Sequence, residues 1–153
     1  MSTVESSNPR AEARFRVVAD TNIFVSAPQF GGAAEDLWLL ARAGLFDLFI
    51  SPAILEELAE VLAAKFDWSR SPLQEALSEI RAHARLVRPR ESLAVIHDDP
   101  SDDRILECAV EAGAHVIVSG DSHLRKLKVF RGIAVMSLAQ FLGSKPWGRR
   151  AEE

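Results

Sequence analysis

The chain has 153 residues, 48% hydrophobic and 26% charged, a balance that suits one globular domain with a real core and excludes a disordered polymer. Its net charge of −4 excludes a uniformly basic nucleic-acid-binding surface and leaves only local basic patches. A single cysteine, Cys108, excludes an internal disulfide and a cysteine-based zinc site, and fits a reducing cytoplasm. No apolar run approaches the roughly 18 residues of a membrane span.

The opening residues 1–14 have no apolar signal core and read as a disordered lead-in. "FRVVAD" (15–20) is a β-rich apolar run, the pattern of a buried strand. A helix is predicted from about Ala33 to Ala43, with Leu37, Leu40 and Ala41 on one face and Gly44 as its stop. "LFDLFIS" (45–51) alternates like a strand. Ser51 then caps a helix opened by Pro52, whose stripe is Ile54, Leu55, Leu58, Val61 and Leu62. "SPLQEALSEIRAHA" (71–84) is a further helix, with Leu73, Leu77 and Ile80 facing in, and "ARLVRP" is an edge strand ended by Pro89.

"DPSDDRILECAVEAG" is a helix capped by Asp99 or Ser101 and ended by Gly113. "HVIVSGD" (115–121) and "IAVMS" (133–137) are buried strands, and Ser137 with Gln140 forms a capping box for a last helix. The tail from 143 to 153 reads as loose. Continuous apolar strands alternating with helices predict an α/β fold with a mainly parallel sheet covered on both faces. In such sheets, sites form beyond the carboxyl ends of the strands.

Two of the buried strands end in aspartate, Asp20 and Asp121. Each alone reads equally as a turn or a cap, but a parallel sheet brings both to one rim. Asp102 is the first member of the inward face formed with Ile105, Leu106 and Ala109, so it points toward that rim. Glu57 sits at the edge of the buried stripe of its helix, three from Ile54 and four from Val61. Glu107 and Glu111 read as an ordinary solvated face. The expected cluster is therefore Asp20, Glu57, Asp102 and Asp121, with Asp99 and Asp103 nearby. Carboxylates this close need a proton or a cation between them. Oxygen donors, with no histidine–cysteine ligand set in view, suit Mg²⁺ or Mn²⁺. One or two such ions would activate water for displacement at phosphorus.

"VVADTNIFVSA", "ISPAILEELAEVL", "DDPSDDRILECAVEAGAHVIVSGDSHL" and "IAVMSLAQFL" together resemble the ordered motifs of PIN-domain proteins, from about Phe15 to Leu142. The nearest group is the toxin components of toxin–antitoxin pairs related to the VapC ribonucleases. The resemblance implies a three-layer α/β/α fold over residues 15–142 and hydrolysis of RNA by a metal-activated water. It places the family's acids on Asp20, Glu57, Asp102 and Asp121, with Asp20, Asp102 and Asp121 holding Mg²⁺ or Mn²⁺. Asn22 matches a residue that orients water or the first carboxylate, and Ser119 matches the Ser/Thr two before the last acid. Asp103 stands where relatives often have Asn, so the metal role could be shared between Asp102 and Asp103. The resemblance also implies a cognate antitoxin, a homodimer and a cytoplasmic location.

For RNA, basic residues matter. Arg125, Lys126, Lys128 and Arg131 follow the last acid, and Arg81, Arg85 and Arg88 form a second group. His123 could touch a phosphate. Cys108 reads as a core thiol, and Trp38 and Trp68 as core or dimer contacts. Two rival enzyme types also put aspartate at strand ends. A response-regulator receiver needs an acidic pair and a late lysine, and a haloacid-dehalogenase phosphatase needs two aspartates one residue apart; "VVADTN" and "IAVMS" supply neither. A non-catalytic binding module is the remaining alternative.

Overall fold

The computed structural model describes residues 14–30, 32–65, 70–96 and 99–148, with the side chains of 26–30, 32, 65 and 70 left aside. Strands β1 (Arg16–Ala19), β2 (Asp47–Ile50), β3 (Arg85–Leu86), β4 (Val116–Val118), β5 (Val129–Phe130) and β6 (Ile133–Met136) form one sheet in the order β3-β2-β1-β4-β6-β5. All neighbours are parallel except the β5–β6 pair. Among the described residues, seven helices flank this sheet: α1 (Thr21–Phe30), α2 (Gly32–Arg42), α3 (Pro52–Lys65), α4 (Arg70–His83), α5 (Pro100–Ala112), α6 (Ser122–Arg125) and α7 (Leu138–Ser144). The result is a three-layer α/β fold, as the alternation of patterns predicts.

The central strands are buried apart from Arg16 at the start of β1: Val17, Val18, Ala19, Ile117 and Val118 are fully inside. A strand covered on both faces has no solvent side, so it carries no polar alternation. The predicted stripes of the helices face the core: Leu37 and Ala41 in α2, Ile54, Leu58 and Leu62 in α3, and Leu77 and Ile80 in α4 are buried, and Leu40, Leu55, Val61 and Leu73 are half-buried against them. Gly44 follows α2 at φ +86°, a conformation that disfavours a side chain, and turns the chain into Phe46 and β2. Phe46, Phe141 and Trp147 then meet edge-on or tilted at centroid distances of 5.2, 5.4 and 4.9 Å and dock Trp147 on the core. Trp147 therefore packs, although its sequence context reads as a loose tail.

Helix α1 has no sequence prediction behind it, because Pro28 and Ser26 interrupt the pattern. The four-residue α6 and two-residue β5 are too short to carry a periodicity. β3 is an edge strand, as expected, but only Arg85 and Leu86 pair. Among the described residues no helix is long and apolar enough to cross a membrane. Trp68 and the expected disordered opening lie outside the described residues, apart from Arg14, which pairs with Asp47 at 2.8 Å.

The strand order turns around at β1: β2 lies on one side of it and β4 on the other. Crevices open at such switch points, beyond the carboxyl ends of the two strands. The registers pair Ala19 with Val118, and the amide of Asp20 donates to the Val118 carbonyl at 3.1 Å. Asp20 and the Ser119–Asp121 turn thus emerge side by side.

Candidate metal centre

Asp20 leaves β1 and begins α1. Its Oδ1 accepts from the Ile23 amide at 3.3 Å, and its Oδ2 accepts a hydrogen bond from the Ser119 hydroxyl. Ser119 is fully buried, and its Oγ accepts in turn from the Asp121 amide at 2.9 Å. Asp121 caps α6, with Oδ1 taking the amides of His123 at 2.7 Å and Leu124 at 3.3 Å. Leu124 is fully buried and pins this short helix to the core.

Asp102 enters from the first turn of α5. Asp99 is the N-cap of that helix and accepts from the Ser101 amide at 3.1 Å and the Ser101 hydroxyl at 2.7 Å. Glu57 comes from the middle of α3 and accepts from the Thr21 hydroxyl at 3.1 Å. These segments enclose a pocket of about 60 Å³ lined by Asp20, Thr21, Asn22, Glu57, Asp99, Ser101, Asp102, Ile105 and Asp121. No lysine or arginine is among these residues. All four principal acids expected from the sequence are here, as are Asn22 and Asp99, with Ser119 directly behind Asp20.

The electrostatics follow from this crowding. Burial pushes the Asp20 carboxyl above its ordinary range, against the Ser119 and Ile23 hydrogen bonds that favour its charged form. Burial also raises Glu57, opposed by the Thr21 hydroxyl and reinforced by Asp99 and Asp20. Asp102 is the extreme case. It is 7% exposed, and burial together with the charges of Asp121 and Asp99 pushes it up to about 7. Its Oδ2 is buried without a hydrogen-bond partner among the described residues. An orphaned carboxylate oxygen among like charges is the environment of a group that holds a cation.

Three features depart from the expectation. Asp103 does not enter the pocket: its Oδ1 accepts from the amides of Val95 and Ile96, both at 2.9 Å. Glu107 and Glu111 are not a solvated face. Glu107 is 8% exposed, accepts from the Leu93 amide at 2.8 Å and pairs with Arg104 at 2.6 Å, while Glu111 takes the Arg90 amide at 3.1 Å. One face of α5, at positions 103, 107 and 111, therefore serves as the hydrogen-bonding edge for the extended segment 90–96. The third departure is His123, whose Nδ1 lies 3.6 Å from Asp121 Oδ1 and 3.9 Å from Asp102 Oδ2. A histidine two positions after an N-cap aspartate turns back toward the cap, a cue available only once α6 is known to be a helix. Thr21 is likewise a site residue that sequence reasoning passes over.

The basic residues separate into two kinds. Arg125, Lys126 and Lys128 line a surface depression with Ser122, Val135 and Gln140, directly beside Asp121. No ion pair among the described residues uses these three. Arg131 instead makes a two-pronged pair with Glu91, both contacts at 2.9 Å, and Arg85 turns to Asp47 at 3.8 Å. Arg81 and Arg88 flank a separate depression with Leu86. Cys108 is a core thiol, pushed up to about 12 by burial. Trp38 meets Phe24 and His83 edge-on within the helical layer.

A family model described as "PIN domain" matches residues 16–123. No curated protein matches the chain. Among solved structures, VapBC2 from Rickettsia felis, bound to a DNA fragment from their promoter, is similar at 17% identity with a TM-score of 0.56, covering 79% of this chain and 97% of that one. PAE2754 from Pyrobaculum aerophilum is similar at 17% identity with a TM-score of 0.55, covering 92% of each chain. At these identities the two structures speak for the fold.

Proposed function

The chain belongs to the PIN-domain family, and from that premise we propose that it is a Mg²⁺- or Mn²⁺-dependent endoribonuclease, the toxin of a toxin–antitoxin pair. The observation that carries this reading is the convergence of carboxylates from β1, α3, α5 and the β4–α6 turn on one small pocket with no lysine or arginine among its described lining residues. Asp20, Asp102 and Asp121 would hold the ion, and Glu57 would complete the shell or orient water. We take Asp102 rather than Asp103 for that role, because Asp102 lines the pocket while Asp103 stands outside it with its Oδ1 on the Val95 and Ile96 amides. A divalent cation bound there supplies activated water and neutralises charge that develops on the phosphate oxygens.

The chain's own residues prepare the site. Ser119 orients Asp20 and holds the Asp121 turn with the same hydroxyl. Thr21 fixes the Glu57 carboxylate, and Asn22 stands at the pocket wall where its amide can position water. The substrate backbone would run from the acidic pocket over α6 to Arg125, Lys126 and Lys128, whose positive charges suit phosphate. Such a path reconciles an acidic protein with a polyanionic substrate: the attraction is local.

A partner protein fits the same frame. The Rickettsia felis neighbour is VapBC2, bound to a DNA fragment from their promoter. Beside the acidic pocket, an apolar cavity of about 230 Å³ opens between Ile23, Phe24, Leu37, Trp38, Leu62 and Ile80. We assign it to apolar side chains of a cognate antitoxin that covers the site. A homodimer and a cytoplasmic location belong to the same reading.

The test is cleavage of a mixed structured and single-stranded RNA pool by purified protein with Mg²⁺, Mn²⁺ or EDTA, beside Asp20→Asn and Asp102→Asn. Metal-dependent cuts abolished in both variants are the expected result. A folded, partner-free protein that cuts nothing with either metal would sink the nuclease reading and favour a binding module.

A further inference from the structure

We infer that His123 is itself a metal ligand, so that the centre is a mixed oxygen–nitrogen site that selects Mn²⁺ over Mg²⁺. The inference rests on the metal-centre reading above and deepens it.

One ligand atom each from Asp102, Asp121 and His123 lie within 4.8 Å of one another. Two donors on one ion, each about 2.1 Å from it, can be no more than about 4.2 Å apart. The imidazole Nδ1 stands 3.6 Å from Asp121 Oδ1 and 3.9 Å from Asp102 Oδ2, inside that span. Local structure explains the placement. The His123 amide is bonded to the Asp121 carboxylate at 2.7 Å, and buried Leu124 anchors the next residue. The ring is therefore carried on the same short helix whose cap is a ligand.

A second observation points to the same place. Asp102 Oδ2, the atom 3.9 Å from the ring, is a buried oxygen with no hydrogen-bond partner among the described residues. Asp20, by contrast, has both oxygens engaged, by Ile23 and Ser119. The open oxygen of Asp102 thus faces His123, and Asp121 Oδ1, which also accepts the His123 and Leu124 amides, is the second carboxylate oxygen beside the ring. The sequence, with its oxygen-only acids, does not separate Mg²⁺ from Mn²⁺; an imidazole donor does. Mg²⁺ keeps oxygen ligands and water, whereas imidazole nitrogen favours the later divalent ions.

The test uses the full chain and Mn²⁺ or Mg²⁺ as the probe. Electron spin-echo modulation of the Mn²⁺-loaded protein should show coupling to a histidine nitrogen, altered by ¹⁵N-histidine labelling and absent in His123→Ala. Calorimetric titration should show Mn²⁺ affinity falling by roughly 10–100-fold in His123→Ala, with Mg²⁺ affinity changed far less. His123→Asp, which restores an oxygen donor, should bind Mn²⁺ without nitrogen coupling and narrow the preference for Mn²⁺. Mn²⁺ that binds the wild type without nitrogen coupling overturns the inference and leaves the carboxylate site standing, with His123 assigned to a phosphate instead. A folded wild type that binds neither ion overturns the inference and the metal-dependent reading together. Unchanged thermal melting of the metal-free variants confirms that a weaker affinity reflects the ligand.

Discussion

The Ser119 hydroxyl joins Asp20 to Asp121. It donates to Asp20 Oδ2 across 99 residues of sequence and accepts from the Asp121 amide at 2.9 Å. The carboxyl ends of β1 and β4 are thereby locked at the point where the strand order turns around. Ser119→Ala leaves a buried carboxylate oxygen and a backbone amide without this partner. We expect a loss of about 1–3 kcal/mol in unfolding free energy, read by denaturant titration. The same change should raise the Asp20 pKa further, because the hydroxyl supports its charged form. Carbon-detected NMR of the Asp20 carboxyl would follow it. An unshifted titration would mean the hydroxyl is not supporting the charge.

Asp102 predicts a trade between stability and metal binding. The carboxyl ionises near 3.8 in a free chain and near 7 in the fold. Between those values the folded state keeps a proton that the unfolded state has lost. Metal-free stability should therefore fall as pH rises from about 4 to 7 and level off above. Solvent near the pocket screens part of the effect, so we expect about 1–2 kcal/mol in total, or a few degrees in Tm. In Asp102→Asn this slope should shrink to the part that the raised Asp20 and Glu57 carboxyls contribute, and the metal-free variant should melt higher than wild type at pH 8. Added Mn²⁺ should raise the wild-type Tm and leave that of the variant nearly unchanged.

The Arg125–Lys128 depression predicts salt-dependent binding without sequence dependence. With cleavage disabled by Asp20→Asn, each of Arg125→Ala, Lys126→Ala and Lys128→Ala should weaken binding of single-stranded oligonucleotides regardless of sequence. Removing one phosphate-neutralising charge should flatten the plot of log affinity against log salt by about 0.7. Arg131→Ala is the internal control, since its guanidinium is held by Glu91. Equal slopes for all four variants would place the substrate elsewhere.

Asp103 predicts a structural loss and not a chemical one. Its oxygen holds the Val95 and Ile96 amides. Asp103→Ala should cost about 2–3 kcal/mol by stranding these donors, and amide exchange at Val95 and Ile96 should accelerate. The fraction that remains folded should bind Mn²⁺ with near wild-type affinity. A selective loss of metal affinity in a stably folded Asp103→Asn variant would return Asp103 to the metal centre.

Much of this molecule is legible in one dimension. The apolar runs at 15–20 and 115–121 announce buried strands because a doubly covered strand has no polar face. The stripes of α2, α3 and α4 and the caps at Asp99, Gly113 and Ser137 are local patterns with local causes. The four principal acids are legible for the same reason, since each lies at a strand end or at a defined position on a helix face. What lies between them is not. Asp102 and Asp103 are adjacent in sequence and indistinguishable in charge, yet one faces the pocket and the other serves the 90–96 segment. Glu107 looks solvent-facing until that segment is laid across it. His123 joins the centre only because four residues too short to show a period wind into a helix capped by Asp121. Propensity and periodicity act over a few neighbouring residues, so the sequence determines the elements and their buried faces. Which polar atom meets which depends on contacts between segments far apart in the chain, and only the tertiary structure decides those.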